Sequence, residues 1–266
     1  MADEQRIYAT ARDITIQQQA EQALEDAAAV LERTVRDRTE ALQEARLEIL
    51  LRLAVVAEYR DDDTHQHTER VGRTAALIAR QLGLSDDAVA LMRHAAPLHD
   101  IGKLGISDSI LLKPGKLTPA EFGLVQEHVN IGCKILAEGK FEVLRLAQEI
   151  ALSHHERWDG AGYPDGECGE QIPLSGRIVA VADVFDALTH DRPYKAAWPL
   201  EDAVDEIKEL GGHHFDARVV QAFAALDHRS LLEPVEHYDL DLPAPPLTAS
   251  TQSDSIGAHA WAMSSS

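Results

Sequence analysis

From Leu24 to Val56 the chain carries neither glycine nor proline, and a seam repeats along it at alternating steps of four and three. The seam reads Leu24, Ala28, Leu31, Val35, Arg38, Leu42, Ala45, Ile49, Arg52 and Val56. That is heptad spacing, which a helix satisfies and a strand does not. The first half of this helix has no obvious body to pack on, so the seam predicts parallel homodimerisation. Its two arginines argue against a long, tight coiled coil. After about Leu47 the apolar stripe widens through Ile49, Leu50, Leu51, Leu53, Ala54, Val55 and Val56, as expected where the helix enters a core.

Helical patterning continues from Leu51 to about Leu232. His65 to Leu82 reads as a helix ended by Gly83, and Ser85 caps the next, which is expected to carry His94 and His99. Thr118-Pro119-Ala120-Glu121 is a capping box with proline at the first helical position, opening the helix of His128. Ile178 to Leu188 is an apolar helix bearing Asp183. Residues 200 to 210 form another, stopped by Gly211-Gly212, and Asp216 caps a last one through Leu226. No strand pairs or alternating strand–helix units occur, so the expected class is all-α, a multi-helix bundle preceded by a long coiled-coil helix. The expected divisions are a short segment over 1–20, a helical coiled-coil linker over 21–50, one domain over 51–232, and a disordered Pro/Ser-rich tail over 233–266.

The formal net charge of -20 argues against a nucleic-acid polymer or an anionic membrane as partner. An anionic substrate would need a locally basic patch. Cys133 and Cys168 fit no ligand spacing and read as free thiols of a reducing compartment. The N-terminus has neither a basic nor an apolar targeting region, and no segment approaches a membrane span, so the expected location is the cytoplasm.

Chemistry concentrates in histidine. His67, the pair His99-Asp100, His128 and the pair His154-His155 fall on different helices, joined by acidic partners at Asp63 and Asp183. In a bundle such residues can converge on a shared interior. Imidazole with carboxylate suits Fe, Mn, Zn or Co. An aspartate next to a histidine lets one carboxylate bridge two metals, and two-metal sites activate water against phosphoesters. Asp63 shares a face with His67 if the helix extends back that far. Asp183 lies in the run Ile178-Val179-Ala180-Val181-Ala182, where a buried charge needs a cation or several donors. His65, His94, His190, His213 and His214 carry no assignment.

These residues resemble a known family. His99-Asp100-Ile101-Gly102-Lys103 is similar to the HD motif of the HD superfamily of metal-dependent phosphohydrolases. His154-His155-Glu156-Arg157-Trp158-Asp159-Gly160-Ala161-Gly162-Tyr163-Pro164 resembles the extended GYP signature. With Leu112–Thr118 and Ala182–Thr189 they mark a resemblance to HD-GYP domains from about Ala57 to Phe223. The resemblance implies an all-helical HD-superfamily bundle that hydrolyses cyclic di-GMP to pGpG and/or GMP at two or three divalent metals, iron or manganese most often.

By the same resemblance His67, His99, Asp100 and Asp183 hold the HD-motif metal, with Asp100 bridging. His128, His154 and His155 hold the further metal or metals. Asp63 stands where trinuclear members carry glutamate, so its shorter reach bears on the third metal alone. His65 stands where members commonly have glycine. Lys103, four residues after His99 and expected on its helix, matches the lysine that stabilises the leaving oxygen. Arg192 and Lys195 match the basic pair that contacts guanine and phosphate, for which arginine offers a fork. Tyr163 belongs to the signature loop, open either to substrate or to a partner signalling protein. Gly160 and Gly162 suit unusual torsions there, and Pro164 restrains Tyr163 to extended backbone. Ala11-Arg12-Asp13-Ile14-Thr15, with Gln17 and Ala20-Glu21, resembles the exit of a PAS sensor domain. The alternative in another class is a non-catalytic HD-GYP module that binds nucleotide or protein. The filled ligand positions argue against such decay.

Overall fold

A computed structural model describes residues 13–59, 66–191 and 196–233, apart from the side chains of Gln43 and Glu44. Among these residues the regular structure is helical, and an isolated β-bridge joins Gly211 and Phe215. The all-α expectation is met. The helices are α1 (Thr15–Glu58), α2 (His67–Gln81), α3 (Asp86–Ala95), α4 (Asp108–Leu111), α5 (Pro119–Leu136), α6 (Glu142–Ser153), α7 (Leu174–Thr189), α8 (Leu200–Glu209), α9 (Ala217–Ala224) and α10 (His228–Leu231). The expected tail over 233–266 lies outside the described residues from 234 onward.

The chain divides into two compact units, Met1–Ala45 and Arg46–Ser266. In the first, Leu24, Leu31, Val35 and Leu42 of the seam are exposed. The Asp13 side chain accepts from the Thr15 backbone N–H at 2.9 Å, satisfying one of the free donors at the start of α1. In the second unit Leu47, Ala54 and Ala57 are buried, while Ile49, Leu53, Val55 and Val56 of the widened stripe stay exposed, so only one edge of it enters the core.

That core is built by α2 against α3 and α7, with α6 against α3, α5 and α7, and α9 against α2 and α7. Val71, Ile78, Met92, Ile150, Ile178 and Ile207 are fully enclosed, and the Phe185 and Phe223 rings meet edge to face with centroids 5.1 Å apart. Gly83 ends the turn after α2 at φ +81°, a backbone that glycine adopts without strain. Ser85 accepts from the Ala88 N–H at the start of α3.

The capping box forms as the sequence predicts. Glu121 N–H donates to the Thr118 hydroxyl at 3.3 Å, and Thr118 N–H donates to the Glu121 carboxylate at 2.8 Å. Lys113 adds two bonds to the same carboxylate, at 2.8 and 2.7 Å, fastening the Leu112–Thr118 loop to α5. Thr118→Ala is expected to destabilise the protein by about 1 kcal/mol, read as a lower unfolding midpoint in denaturant.

One helix assignment is corrected. His99 is not on α3. Pro97 lacks an N–H and crowds the preceding turn, so α3 stops at Ala95 and a 3-10 turn, Ala96–Leu98, follows. Lys103 likewise does not share an α-helix with His99. It lies in a second 3-10 turn, Ile101–Gly105.

Candidate metal centre

Five elements deliver the candidate ligands. His67 is the first residue of α2, and His99-Asp100 occupies the junction of the two 3-10 turns. His128 lies within α5, His154-His155 immediately follows α6, and Asp183 lies midway along α7. They gather into two sets. His67, His99 and Asp183 form one, and Asp100, His128, His154 and His155 the other. Within each set the potential ligand atoms lie within 4.8 Å of one another.

Asp100 faces both sets. Its Oδ2 lies 3.3 Å from His99 Nε2, while Oδ1 lies 3.2 Å from His128 Nε2 and 3.7 Å from His154 Nε2. In the first set His67 Nε2 is 3.5 Å from Asp183 Oδ1. The Lys103 ammonium lies 2.9 Å from Asp100 Oδ2, so the lysine faces the site despite its different helical setting.

The local backbone explains why the rings point inward. His99 Nδ1 donates to the Ala96 carbonyl at 2.9 Å, His128 Nδ1 to Val125 at 2.7 Å, and His154 Nδ1 to Ile150 at 3.0 Å. A carbonyl only accepts, so each Nδ1 carries a proton and each Nε2 faces the cluster. His67 is fixed by a carboxylate instead, Nδ1 donating to Asp186 Oδ2 at 2.6 Å. Arg70 holds that carboxylate through Nε at 2.5 Å and Nη2 at 3.0 Å.

Asp186 is a residue the sequence reading did not assign. Its signal was its place three residues after Asp183 in an apolar helix, where a second buried carboxylate needs a partner. Burial raises its carboxyl pKa, but the bonds from His67 and Arg70 outweigh that and hold it below the usual carboxylate range. Asp186→Asn is expected to cost ten- to a hundredfold in metal affinity, measurable by competition with a chelator.

Among the described residues, His99 Nε2, Asp100 Oδ1, His128 Nε2 and His154 Nε2 are buried without a hydrogen-bond partner. A buried unpaired polar group costs about 1–3 kcal/mol, so these four, spread over the two sets, call for partners within the cluster. The field there suits a cation. Burial lowers the pKa of His99, yet Asp100 chiefly, with Asp183, carries it up to about 9. Burial also opposes charge on Asp100, but Lys103 and His99 keep it well below its ordinary value. His154 and His155 are held low, first by burial, and so present neutral rings. Neutral rings at His154 and His155 beside the ionised Asp100 suit a divalent ion, and His99 would give up its second proton as one binds, so the residues fit such ions.

The signature loop closes beside the second set. Tyr163 stacks on His155 with centroids 4.7 Å apart, and burial pushes its hydroxyl pKa up. The loop is held from beneath by Glu156, whose Oε1 accepts from Asp165 and Gly166 N–H at 2.8 and 3.1 Å. Trp158 and Asp159 N–H donate to the His214 and His213 carbonyls, each at 2.9 Å. Gly160 takes φ +76°, the unusual torsion expected. Gly162 is required for another reason. A Cβ there would lie 2.4 Å from Arg157 N and 2.6 Å from the His155 carbonyl oxygen. Asp63, Arg192 and Lys195, together with His65, lie outside the described residues.

The helices and the His/Asp cluster define an all-α protein built around a metal-ligand site. A family model described as an HD domain matches residues 53–219, and the chain belongs to that family. The "Cyclic di-GMP phosphodiesterase" of Thermotoga maritima is 50% identical over 198 residues, covering 74% of this chain and 54% of that protein. The "Cyclic di-GMP phosphodiesterase response regulator RpfG" of Xanthomonas campestris pv. campestris is 45% identical over 222 residues, covering 84% and 58%. The "3'3'-cGAMP-specific phosphodiesterase 2" of Vibrio cholerae is 43% identical over 180 residues, covering 68% and 34%. The chain spans about half the length of the first two. No helix of the described residues is long and apolar enough to cross a membrane.

Proposed function

We propose that this chain is a metal-dependent phosphodiesterase that hydrolyses cyclic di-GMP to pGpG and/or GMP in second-messenger signalling. The observation that carries the reading is Asp100, one oxygen facing His99 and the other facing His128 and His154. The printed names of the relatives from Thermotoga maritima and Xanthomonas campestris supply the substrate.

His67, His99, Asp100 and Asp183 would hold one divalent ion, and Asp100, His128, His154 and His155 another, iron or manganese. Such a pair supplies a water nucleophile near neutral pH and neutralises phosphoryl oxygens. The chain's own contribution is positional. Four Nδ1 clamps fix the ring tautomers, and Asp100 stays ionised between the two sets. Lys103, beside Asp100, is placed to stabilise the leaving oxygen. Arg192 and Lys195 are assigned to phosphate and guanine, Tyr163 to substrate or a partner signalling protein, and Asp63 to a third metal. The exposed seam of α1 supports homodimerisation, and a cytoplasmic location suits the substrate.

A neighbouring reading, 3'3'-cGAMP as substrate, is favoured by the name of the Vibrio cholerae relative. Anaerobic turnover of each dinucleotide with Mn(II) or Fe(II), with products separated by chromatography, decides between them. Linear pGpG or GMP from cyclic di-GMP is expected. No product under either metal, with nucleotide binding retained, would overturn the enzyme reading in favour of a binding module.

A further inference from the structure

The first ligand of the three-residue set sits at a helix start whose own cap is missing. Gln66, the N-cap of α2, makes no side-chain capping bond. The cap comes instead from nine residues upstream. Glu58, the last residue of α1 and only 6% exposed, accepts from the His67 backbone N–H at 2.9 Å through Oε1. Its Oε2 accepts from the Thr68 hydroxyl at 2.8 Å and the Thr68 N–H at 3.4 Å. Two of the free donors of α2 and one side chain are thus satisfied by a single buried carboxylate. A helix N-terminus carries partial positive charge, and a metal bound at His67 would add more beside it. Glu58 supplies the compensating negative charge at that end. His67 is therefore fixed twice, at its backbone by Glu58 and at its ring by Asp186.

The geometry points to Glu58 as a positioning residue for His67 of the His67/His99/Asp183 set: it holds that ligand in register and leaves the Asp100/His128/His154/His155 set to its own helices. This rests on the metal-dependent reading above. Its distinctive consequence is asymmetry. Losing Glu58 should weaken one ion and spare the other, because none of the four residues of the second set lies on α1 or α2.

The test is Mn(II) titration of the full chain followed by electron paramagnetic resonance, with Glu58→Gln and Glu58→Ala beside the wild type. Val71→Ala, which opens a cavity in the fully buried middle of α2, is the control for destabilisation alone. The wild type is expected to bind at least two equivalents, one at each described set, and give the broad signal of an exchange-coupled pair. In both Glu58 variants one equivalent should weaken about tenfold or more, with the six-line signal of isolated Mn(II) appearing at substoichiometric metal. The glutamine variant keeps the size and an acceptor, so it tests the charge if the alanine variant fails to fold. Two unweakened equivalents in the glutamine variant would overturn the proposal, as would the same loss in Val71→Ala. A wild type that binds no Mn(II) would overturn the metal reading and this inference together. A wild type with two ions and symmetric losses in the variants would overturn this inference alone.

Discussion

Asp100→Ala should strip both ions from the site and abolish turnover while leaving the helical circular-dichroism spectrum in place. No other side chain faces both ligand sets through separate oxygens among the contacts described, so no single histidine replacement should do as much. Removal of one outer-shell partner typically costs ten- to a hundredfold in affinity, and loss of a shared inner ligand should exceed that at each position. The same change removes the carboxylate that faces the Lys103 ammonium at 2.9 Å, which takes negative charge away from where cations must bind. Elemental analysis of the dialysed variant reads the result. One ion retained at wild-type affinity would show that the carboxylate is not shared.

Gly102→Ala is the second large effect, and it acts through the backbone alone. A Cβ at Gly102 would lie 1.8 Å from the His128 carbonyl oxygen and 2.5 Å from Gly132 N. Neither neighbour is a flexible side chain, so the 3-10 turn Ile101–Gly105, with Asp100 at its N-cap and Lys103 within it, would have to lift off α5. Overpacking of this kind costs about 1–3 kcal/mol, and here it also parts Asp100 from His128. A fall of several degrees in melting temperature with loss of bound metal is the expected result. Gly123→Ala on the same helix meets nothing within 4 Å and serves as the control. Replacing a helical glycine there should leave stability unchanged or raise it by up to about 1 kcal/mol. Equal behaviour of the two variants would refute the packing argument.

Much of this was legible in the sequence because the signals are local. The unbroken helix of α1, the Thr118–Glu121 box, Ser85 and Gly83 each depend on signals within a few residues, and each forms as read. The ligand residues were legible by type and spacing, and the structure gathers those that it describes into two sets. What escaped depends on contacts distant in the chain. Asp186 meets His67 across 119 positions, and Glu58 reaches it across the segment between α1 and α2. Gly162 looked like a torsional glycine, yet it is demanded by the chain passing close beneath it. The misplacement of His99 and Lys103 had a local cause. Pro97 marked the end of α3, and helical periodicity was carried past it.

The carbonyl clamps on His99, His128 and His154 have a consequence for which ion the protein carries. These bonds belong to the turns and helices themselves, so ring orientation is set when the chain folds and owes nothing to the ion that arrives. A rigid imidazole cradle grips iron, manganese and zinc through the same lone pairs, and divalent ions differ in affinity by their own chemistry. Such a protein does not choose its metal by reshaping itself. Under the proposed function, loading would follow the ions supplied where the chain folds together with their own affinities, and a change in that supply would alter turnover with no change in the fold.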